Sequence, residues 1–499
     1  MNTTPAGSEW LKRRFNLLEF TLTHSSFIGS SNLVELTSRG NIEETFGAKY
    51  GVPNTPLDQL EFSLKYDDVS LDFFKAVFGH IPAQEVVEYI EASPAGRYRR
   101  AIGFLYELLT GTTLNLSRPV SGNYVDLLNP DRYVTGVIKK DTRWRINNNL
   151  LGTEAYCPII RKTNALNELL AIDTRQRVRD LKKRYEPEIF QRVINYLYKK
   201  ETRSSYEIER EKPSQDRMEK FITLLNRGGT EPNERMVSRE RLITLQNAIV
   251  DPRFSADRYR DFQNYVGASL PNGMEQIDYI CPPPSLVSEL MPALSELAMK
   301  SASAPPEVRA AILSFGFVFI HPFEDGNGRI HRFLIHDVLA HDELVPQGMI
   351  IPVSAHMLNH MRDYDTTLEK YSKPLMQRAR YQSAEDATIT VTNLAQIEGY
   401  YRYPDLTEQC VYLLETIHAT LAEDMPEELL FMQRYDEAKK ELQNIVDMPD
   451  REINLMLTFL HQSNGVFPKR RRERFAKLTD GEIARMQSAY QLVFEMNGE

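Results

Sequence analysis

The sequence predicts a mostly helical protein, and three observations support this prediction. Apolar residues recur at helical spacing in several segments, as Ile312, Phe315 and Phe319 do. The segment 164–226 is rich in charged residues of mixed sign, which are typical of solvated helix faces. Strand-forming residues flank an Asn-Gly turn signal at one place, so a single hairpin is the one β element that the pattern indicates.

The composition is that of a folded chain with more than one domain. The chain has 499 residues, of which 42% are hydrophobic, so it can bury sizeable cores. At about 100 to 200 residues per domain, two to four domains are expected. The 69 acidic and 60 basic residues give a net charge of -9, so the molecule as a whole repels nucleic acid and anionic membranes.

The sequence indicates neither a membrane span nor a disulfide framework. The longest uncharged apolar run near the middle, 310–320, is shorter than the roughly 20 residues that cross a bilayer. Residues 1–15 are polar and lack the apolar segment of a secretory signal. The 3 cysteines lie far apart, an arrangement that favours a reducing compartment. We therefore expect a soluble, cytoplasmic protein without a membrane partner.

The two flanks of the chain are both expected to be helical. Residues 1–160 are predicted to form an amino-terminal scaffold of short helices separated by proline-containing turns. Ser70 is a candidate N-cap for one of these helices, in which Leu71 and Phe78 share a face. Residues 386–499 are predicted to form a helical carboxy-terminal extension.

The central domain is predicted over residues 161–385, and it contains the hairpin. The two strands are expected within 262–267 and 276–280, where Tyr, Val and Ile are frequent. The turn is expected at 270–273, where Leu-Pro-Asn-Gly supplies the turn chemistry.

Two buried helices are predicted after the hairpin. The first begins at Pro305-Pro306, because proline is tolerated in the first turn of a helix. It ends at His321-Pro322, because a residue that precedes proline is disfavoured in helical geometry. The second helix follows a glycine-rich loop and buries Ile330.

The stretch between these helices combines residue types that bind a polyphosphate. Gly326 and Gly328 permit a close approach of the backbone, so consecutive N–H groups can converge on an anion. The helix that follows adds its positive amino-terminal end. Arg329 and Arg332 lie three residues apart on one face of that helix, so both guanidinium groups can reach the same polyphosphate.

The same stretch supplies a metal ligand and a base. Asp325 offers a hard oxygen ligand beside the phosphates, which is a usual way for proteins to hold Mg²⁺. His321 lies at the edge of the loop, where a neutral imidazole can take a proton from an incoming hydroxyl. Together these residues indicate a site for a nucleoside triphosphate.

The stretch from His321 to Arg332 resembles the signature of the Fic family, HxFx(D/E)GNGRxxR, at every defined position. The resemblance implies an all-α Fic core with a small β-hairpin flap. It also implies transfer of AMP from ATP to a Ser, Thr or Tyr hydroxyl of a target protein, with Mg²⁺ as cofactor. In this family the histidine is the general base, so His321 takes that role; Phe323 anchors the loop and Asp325 binds the metal. The residues implied to bind the nucleotide are Gly326, Asn327, Gly328, Arg329 and Arg332.

The resemblance covers roughly residues 195–375, a range that includes the hairpin. The hairpin resembles the flap on which the family docks its targets by edge-strand pairing, and Tyr259-Arg260 resembles the flank of that flap. Tyr364 lies in a segment that resembles the wall of the adenine pocket. ATP and a protein docked on the hairpin are the implied partners, and self-modification is a further outcome of the same chemistry.

A second motif resembles the inhibitory segment of the family, (S/T)xxxE(G/N). Ser205 and Glu209 match it, whereas Arg210 stands where the family has Gly or Asn. The resemblance implies that Glu209 pairs with Arg332 and blocks the terminal phosphate. The resemblance to bifunctional members of the family also allows the same glutamate to orient water for removing AMP from a modified target, and the sequence does not separate these two roles.

Three alternatives to AMP transfer remain open on the sequence alone. They are removal of AMP, transfer of phosphate from a reversed nucleotide, and a DNA-binding regulator with an inactive Fic core. The intact Gly328-Arg329 pair argues against phosphate transfer. The retained His321 and the net acidity argue against the regulator, so nucleic acid is not an expected partner. Whether the chain forms a homodimer is left open.

Two further features have ordinary structural explanations. His331, His336 and His341 do not form the helical pattern of a zinc site, so we expect them on exposed or polar faces. The basic cluster at 469–474 is expected to be a solvated helix face or a partner for acidic residues of the same chain.

Overall fold

The structure is a computed structural model that describes residues 3–37, 40–269, 275–384 and 388–495. Its described part is about 58% helical and contains 21 α-helices and a few small sheets. The prediction of a mostly helical fold is therefore confirmed. None of the described helices is both long enough and apolar enough to cross a membrane.

The amino-terminal region combines helices with two small sheets. Its helices are α1 (Gly7–Arg14), α2 (Pro56–Tyr66), α3 (Leu71–Phe78), α4 (Ala83–Ala92) and α5 (Arg97–Thr110). The first sheet has the order β1-β2-β4-β3, formed by β1 (Thr4–Ala6), β2 (His24–Gly29), β3 (Leu33–Leu36) and β4 (Ile42–Gly47). The second has the order β5-β7-β6, formed by β5 (Val125–Asp126), β6 (Lys139–Asp141) and β7 (Ile146–Asn148).

Sequence patterns located the helices of this region better than its strands. Ser70 caps α3 as predicted, because its side chain accepts a hydrogen bond from the N–H of Phe73 at 3.3 Å. The seven strands were not predicted, because they are two to six residues long. All four residues of β3 are exposed, so this strand has no alternation of apolar and polar residues.

The central region is built from long helices around one large core. Before the hairpin lie α6 (Asn164–Leu170), α7 (Thr174–Arg184), α8 (Pro187–Ile208), α9 (Gln215–Asn226), α10 (Asn233–Met236) and α11 (Arg239–Ile249). After it lie α12 (Pro284–Lys300), α13 (Pro306–Ile320), α14 (Asn327–His341), α15 (Val353–Asn359) and α16 (Met361–Arg378). Helices α13 and α14 pack against each other and are almost entirely buried, which the sequence predicts for α13, whereas for α14 it predicts only a buried stripe that contains Ile330.

The predicted hairpin is present. Strand β8 (Tyr265–Ser269) pairs antiparallel with β9 (Glu275–Ile280), and an irregularity in the register falls between Val266 and Gly267. The first strand begins at Tyr265, three residues later than the predicted segment. The predicted turn at 270–273 lies outside the described residues.

The carboxy-terminal region divides between the central core and a smaller core of its own. It contains β10 (Tyr381–Ser383), β11 (Ile389–Val391), α17 (Leu394–Arg402), α18 (Thr407–Ala419), α19 (Met425–Ile445), α20 (Asp450–Gln462) and α21 (Asp480–Glu495). Helix α18 and the start of α19 pack in the central core, whereas the end of α19 packs with α20 and α21. A π-helical turn, Thr420–Asp424, joins α18 to α19.

Part of the basic cluster at 469–474 pairs within the chain. Arg472 donates a hydrogen bond to Asp480, and Arg474 donates one to Glu452. Arg471 lies over the ring of Phe459. These contacts correspond to the intramolecular explanation that the sequence offered for the cluster.

Candidate active site

His321 lies at the end of the buried helix α13 in a left-handed conformation, with φ 53° and ψ 59°. Its Nδ1 is 3.1 Å from the carbonyl oxygen of Val318. Because a carbonyl can only accept a hydrogen bond, we assign the ring proton to Nδ1. This assignment leaves Nε2 as the nitrogen that can accept a proton.

The surroundings of His321 keep its imidazole neutral. Burial lowers the pKa of His321 from its ordinary value of 6.5 to about 4, because the charged form loses its solvation. The positive charge of Arg260 contributes to this lowering of the pKa, whereas the hydrogen bond with Val318 and the charges of Glu209 and Asp325 act in the opposite direction. At neutral pH the ring is therefore in the form that a general base requires.

The loop after His321 is held by a pair of hydrogen bonds between one side chain and one backbone unit. The N–H of Phe323 donates to Asn327 Oδ1 at 3.0 Å, and Asn327 Nδ2 donates to the carbonyl of Phe323 at 2.9 Å. The Phe323 ring is buried against Tyr259 and Phe317. The side chain of Asn327 thus shapes the loop, and its contact with a nucleotide stays a prediction.

Gly328 leaves a small space at the amino-terminal end of α14, next to Arg332, and the carboxylate of Glu209 lies in it. We call this space the cradle. A Cβ at this position would lie 2.0 Å from Glu209 Oε1 and 3.3 Å from Arg332 Nη1. Only a residue without a side chain leaves room for a carboxylate oxygen so close to the backbone. The carboxylate of Glu209 lies against the helix end, which is where an anion is favoured. Gly326, at φ 92°, supplies the left-handed turn that precedes the cradle.

Arg332 brings together both residues of the predicted inhibitory motif. Its Nε donates to Ser205 Oγ at 2.9 Å, and its Nη2 donates to the Ser205 carbonyl at 2.6 Å and to Glu209 Oε1 at 2.8 Å. The guanidinium is 1% exposed, whereas the Glu209 side chain is 37% exposed. Arg332 Nη1 would lie 3.3 Å from a Cβ at Gly328, so it faces the cradle, and the Tyr364 side chain also forms a hydrogen bond with Arg332.

The end of α8 explains the family's preference for Gly or Asn after the glutamate. Arg210 has φ 56°, and its N–H donates to the carbonyl of Glu207. The N–H of Glu211 donates to the carbonyl of Tyr206, which completes a Schellman motif. Gly and Asn adopt this left-handed position at low cost, whereas Arg210 adopts it against its steric preference.

Arg329 is bound by a second glutamate that sequence reasoning missed. It donates to Glu211 Oε2, to Asp325 Oδ1 at 2.5 Å and to the carbonyl of Ile249 at 3.3 Å, and it is 2% exposed. Arg217 donates to the other oxygen of Glu211 at 2.5 Å. No sequence pattern indicates this contact, because one more glutamate after the motif is ordinary in a chain with 69 acidic residues.

Helix α8 lies along α14 with contacts spaced one helical turn apart. Glu201 pairs with His336 at 2.6 Å, Ser205 with Arg332, and Glu209 lies over Gly328. The residue numbers rise by four on α8 and fall by four on α14, so the two helices run in opposite directions.

The first of these contacts is deeply buried. Glu201 is 1% exposed, and its second oxygen accepts a hydrogen bond from the N–H of Ser354 at 2.8 Å. The prediction that His331 and His336 lie on exposed or polar faces is wrong, because both are buried. Helix α14 is covered on nearly every side, and such burial cannot be recognised from the spacing of its apolar residues alone.

The described residues contain no group of three or more His, Cys, Asp or Glu side chains arranged around a metal position. A single carboxylate beside the phosphates is nevertheless the usual protein contribution to a Mg²⁺–nucleotide complex. Asp325 is 41% exposed at the edge of the cradle, and its Oδ1 accepts a hydrogen bond from the N–H of Gly326 at 2.6 Å. Its position and chemistry fit that role.

Comparison with known proteins supports a Fic domain in the central region. Residues 236–339 match the sequence profile of the Fic/DOC family, so a Fic domain is confirmed there. The match includes the hairpin and the whole stretch from His321 to Arg332. Residues 205–211 lie outside it.

The proteins that are similar to the chain include a curated relative and two solved structures. The probable protein adenylyltransferase aq_aa38 of Aquifex aeolicus strain VF5 is 26% identical over 170 residues, which are 32% of this chain and 52% of the relative. The chain thus spans about half the length of that protein. A Fic family protein from Desulfovibrio desulfuricans G20 is 17% identical with a TM-score of 0.37, over 62% of this chain and 87% of the other. A Fic domain containing signaling protein from Bacteroides thetaiotaomicron VPI-5482 is 17% identical with a TM-score of 0.33, over 52% and 96%.

Proposed function

We propose that this protein transfers AMP from ATP to a Ser, Thr or Tyr hydroxyl of a target protein. The observation that carries the proposal is the cradle at Gly328, which lies between the amino-terminal end of α14 and the buried guanidinium of Arg332. A phosphate group has the charge and the oxygen acceptors that such a cradle binds. The Fic/DOC match over residues 236–339 supports the same chemistry.

In the proposed reaction His321 is the general base. Its Nε2 takes the proton of the target hydroxyl, and the resulting oxygen attacks the α-phosphorus of ATP. The bond from the α-phosphorus to the β-phosphate oxygen breaks, so pyrophosphate leaves and AMP becomes esterified to the protein. Positioning and charge neutralisation are the main requirements of this substitution, and a magnesium ion would supply part of the neutralisation.

Each remaining residue of the signature has a defined task in this proposal. Arg329 and Arg332 bind the departing phosphates, and Asp325 holds the metal ion. Gly326 and Gly328 let the backbone approach the phosphates, and Asn327 holds the loop in shape through Phe323. The target segment pairs with the hairpin formed by β8 and β9, which presents its hydroxyl to His321.

The proposal includes inhibition by Glu209 in the resting protein. Its carboxylate occupies the cradle and pairs with Arg332, so the terminal phosphate of ATP must displace it. Since the carboxylate is 37% exposed, a small movement of the end of α8 suffices to release it. We therefore expect slow transfer by the unmodified protein.

The test is incubation with ATP that is labelled separately at the α and γ positions. The Glu209→Gly variant is expected to label itself or an added protein from α-labelled ATP only, and a His321→Ala variant in the same background is expected to label nothing. Label from the γ position would support phosphate transfer instead. An absence of both labels in the Glu209→Gly variant would contradict the proposed function.

Removal of AMP is the second candidate, because the exposed carboxylate of Glu209 lies directly beside the phosphate cradle. A carboxylate in that position can orient water towards a bound phosphate ester. The test substrate is a protein that already carries AMP. It would be incubated with the protein that retains Glu209 and, in parallel, with the Glu209→Gln variant. Release of AMP that depends on Glu209 would establish the hydrolytic role, and retention of AMP by both would leave inhibition as its function.

A further inference from the structure

Arg260 is buried between the hairpin and the end of α13, and all its hydrogen bonds go to main-chain carbonyl groups. It is 6% exposed. Its side chain donates to the carbonyls of His321 at 2.7 Å, Phe262 at 2.8 Å and Pro282 at 2.6 Å, with a longer contact to Ile320 at 3.4 Å. Because none of these acceptors is a carboxylate, the charge has no ion-pair partner among them.

This arrangement is costly, so it calls for an explanation. A buried charge is normally paired, and one that relies on neutral acceptors loses most of its solvation. Burial accordingly lowers the pKa of Arg260 below its ordinary value. A neutral side chain of similar size would avoid this cost, and therefore the guanidinium is expected to do something that a neutral residue cannot.

One task of Arg260 is to complete the end of α13. The helix closes with a hydrogen bond from the N–H of the left-handed His321 to the carbonyl of Phe317 at 2.9 Å. The next residue, Pro322, has no N–H, so it offers no donor to the carbonyls at this helix end. Arg260 supplies donors from outside the helix, since it binds the carbonyls of Ile320 and His321. Its own N–H also donates to the Pro322 carbonyl at 2.9 Å.

The same guanidinium holds both bases of the hairpin. Phe262 lies three residues before β8, and Pro282 lies two residues after β9. Arg260 contacts the carbonyl of each one and that of His321 at the same time. The planar guanidinium of Arg260 thus fixes the distance between His321, the proposed base, and the hairpin on which the target is proposed to dock.

We propose that Arg260 is a positioning residue that fixes the backbone of His321 relative to the hairpin and thereby aligns the base with the target hydroxyl. This inference rests on the proposed function. It concerns the chemical step, because Arg260 touches the base and the hairpin and makes none of its hydrogen bonds with the residues of the nucleotide cradle. Its loss is therefore expected to lower kcat and to leave the KM for ATP nearly unchanged.

The experiment compares Arg260→Gln and Arg260→Lys in the Glu209→Gly background. Arg260→Gln is expected to lower kcat by about 10- to 100-fold, with the KM for ATP changed by less than about twofold. Arg260→Lys keeps the charge but lacks the planar guanidinium that reaches several carbonyls at once, so its kcat is expected to recover only in part. Unchanged kcat in a folded Arg260→Gln protein would overturn the proposal, and so would a loss that appears only in the KM for ATP.

Arg100 offers a matched control for general destabilisation. It is also buried, and it also donates to main-chain carbonyls, those of Asn123 at 2.9 Å and Arg145 at 3.0 Å, in the amino-terminal region. Arg100→Gln is expected to lower the melting temperature and to leave kcat unchanged. An equal loss of kcat in both Gln variants would show that Arg260 acts through stability alone.

A measurement that does not depend on activity separates this inference from the proposed function. The pKa of the His321 imidazole can be followed by NMR in the parent and in Arg260→Gln. The charged groups that face the ring are Arg260, Asp325 and, in the unmodified protein, Glu209. Because Arg260 opposes protonation, the pKa is expected to rise when it is replaced. An unchanged pKa and an undisturbed ring would overturn the proposal even if the protein transferred no AMP.

Discussion

His321 is the residue whose protonation sets the pH range of the proposed reaction. Burial lowers its pKa to about 4, and only the neutral ring can accept a proton. Activity is therefore expected to persist as the pH falls below 6.5 and to be lost as it passes through about 4. The measurement is kcat against pH for Glu209→Gly, with the folded fraction followed in parallel. A loss of kcat that already begins at pH 6.5 or above, while the protein is still folded, would contradict the lowered pKa of His321.

The same shift links His321 to stability. Between pH 6.5 and 4 the unfolded chain binds a proton on this ring that the folded chain does not. The free energy of unfolding therefore contains a contribution that is complete above pH 6.5 and diminishes as the pH falls towards 4. Replacing His321 with Gln should remove that dependence, which urea unfolding at several pH values would show.

In the proposed reaction Glu211 competes with the nucleotide for Arg329, because it binds the same guanidinium. Replacing it with Gln removes the charge on one side of Arg329, while Asp325 and the Ile249 carbonyl still orient the guanidinium. We expect ATP to bind about three- to tenfold more tightly, because an ionic hydrogen bond no longer has to be broken. Equilibrium binding of ATP would measure this effect. The matched control is Glu207→Gln, at an exposed position of α8, and equal affinities in both variants would refute the expectation.

Arg210 holds a left-handed conformation that glycine adopts without strain. Arg210→Gly is expected to stabilise the end of α8 by up to about 1 kcal/mol, although the greater freedom of glycine in the unfolded chain offsets part of this gain. A firmer helix end should hold Glu209 in the cradle more often, so self-modification should become slower. Thermal unfolding tests the expected gain in stability, and the rate of label incorporation from α-labelled ATP tests the expected slower self-modification. Faster labelling would show that the strain at Arg210 does not weaken inhibition.

At the scale of the element, α8 is expected to act as one rigid unit. Glu201 lies two helical turns before Glu209, roughly 12 Å along the helix axis, and it binds His336 and Ser354. Glu201→Gln leaves this buried network incompletely satisfied, at an expected cost of about 1–3 kcal/mol. The variant should melt at a lower temperature and transfer AMP faster, because α8 then holds Glu209 less firmly.

The control for this prediction is an ion pair on the same helix. Lys200 pairs with Glu428 at 2.6 Å near the surface, so Lys200→Ala should change stability by less than about 1 kcal/mol. It should also leave the rate of transfer unaltered. A Glu201→Gln protein that melts earlier yet transfers AMP at the parental rate would show that the two ends of α8 move independently.

Elements were predictable from the sequence where a periodic pattern and a clear end signal coincide. The buried helix α13 has both, since its apolar residues repeat and His321-Pro322 stops it. The strand β3 has neither, because it is four residues long and exposed on both faces. The burial of His331 and His336 was also missed, since it depends on how many other helices surround α14.

On the scale of the whole molecule, the sequence by itself determined the chemistry of the site. His321, Asp325, Gly328 and Arg332 lie within twelve consecutive positions, so one loop and one helix start suffice to bring them together. Residues this close in sequence lie near one another through the local backbone geometry alone, without a contribution from the packing of distant segments. Their residue types and spacing were therefore enough to indicate a triphosphate, a metal ion and a base.

Only the tertiary structure decided which distant residues control that site. Arg260 is 61 positions from His321, Glu211 is 118 from Arg329, and Glu201 is 135 from His336. Contacts across such separations depend on how whole helices pack, because burial and shape select one arrangement among many that a sequence pattern permits. The sequence pattern thus identified the reacting groups and, through the predicted inhibitory motif, Glu209, while packing determined that Arg260 and Glu211 also contact the reacting groups.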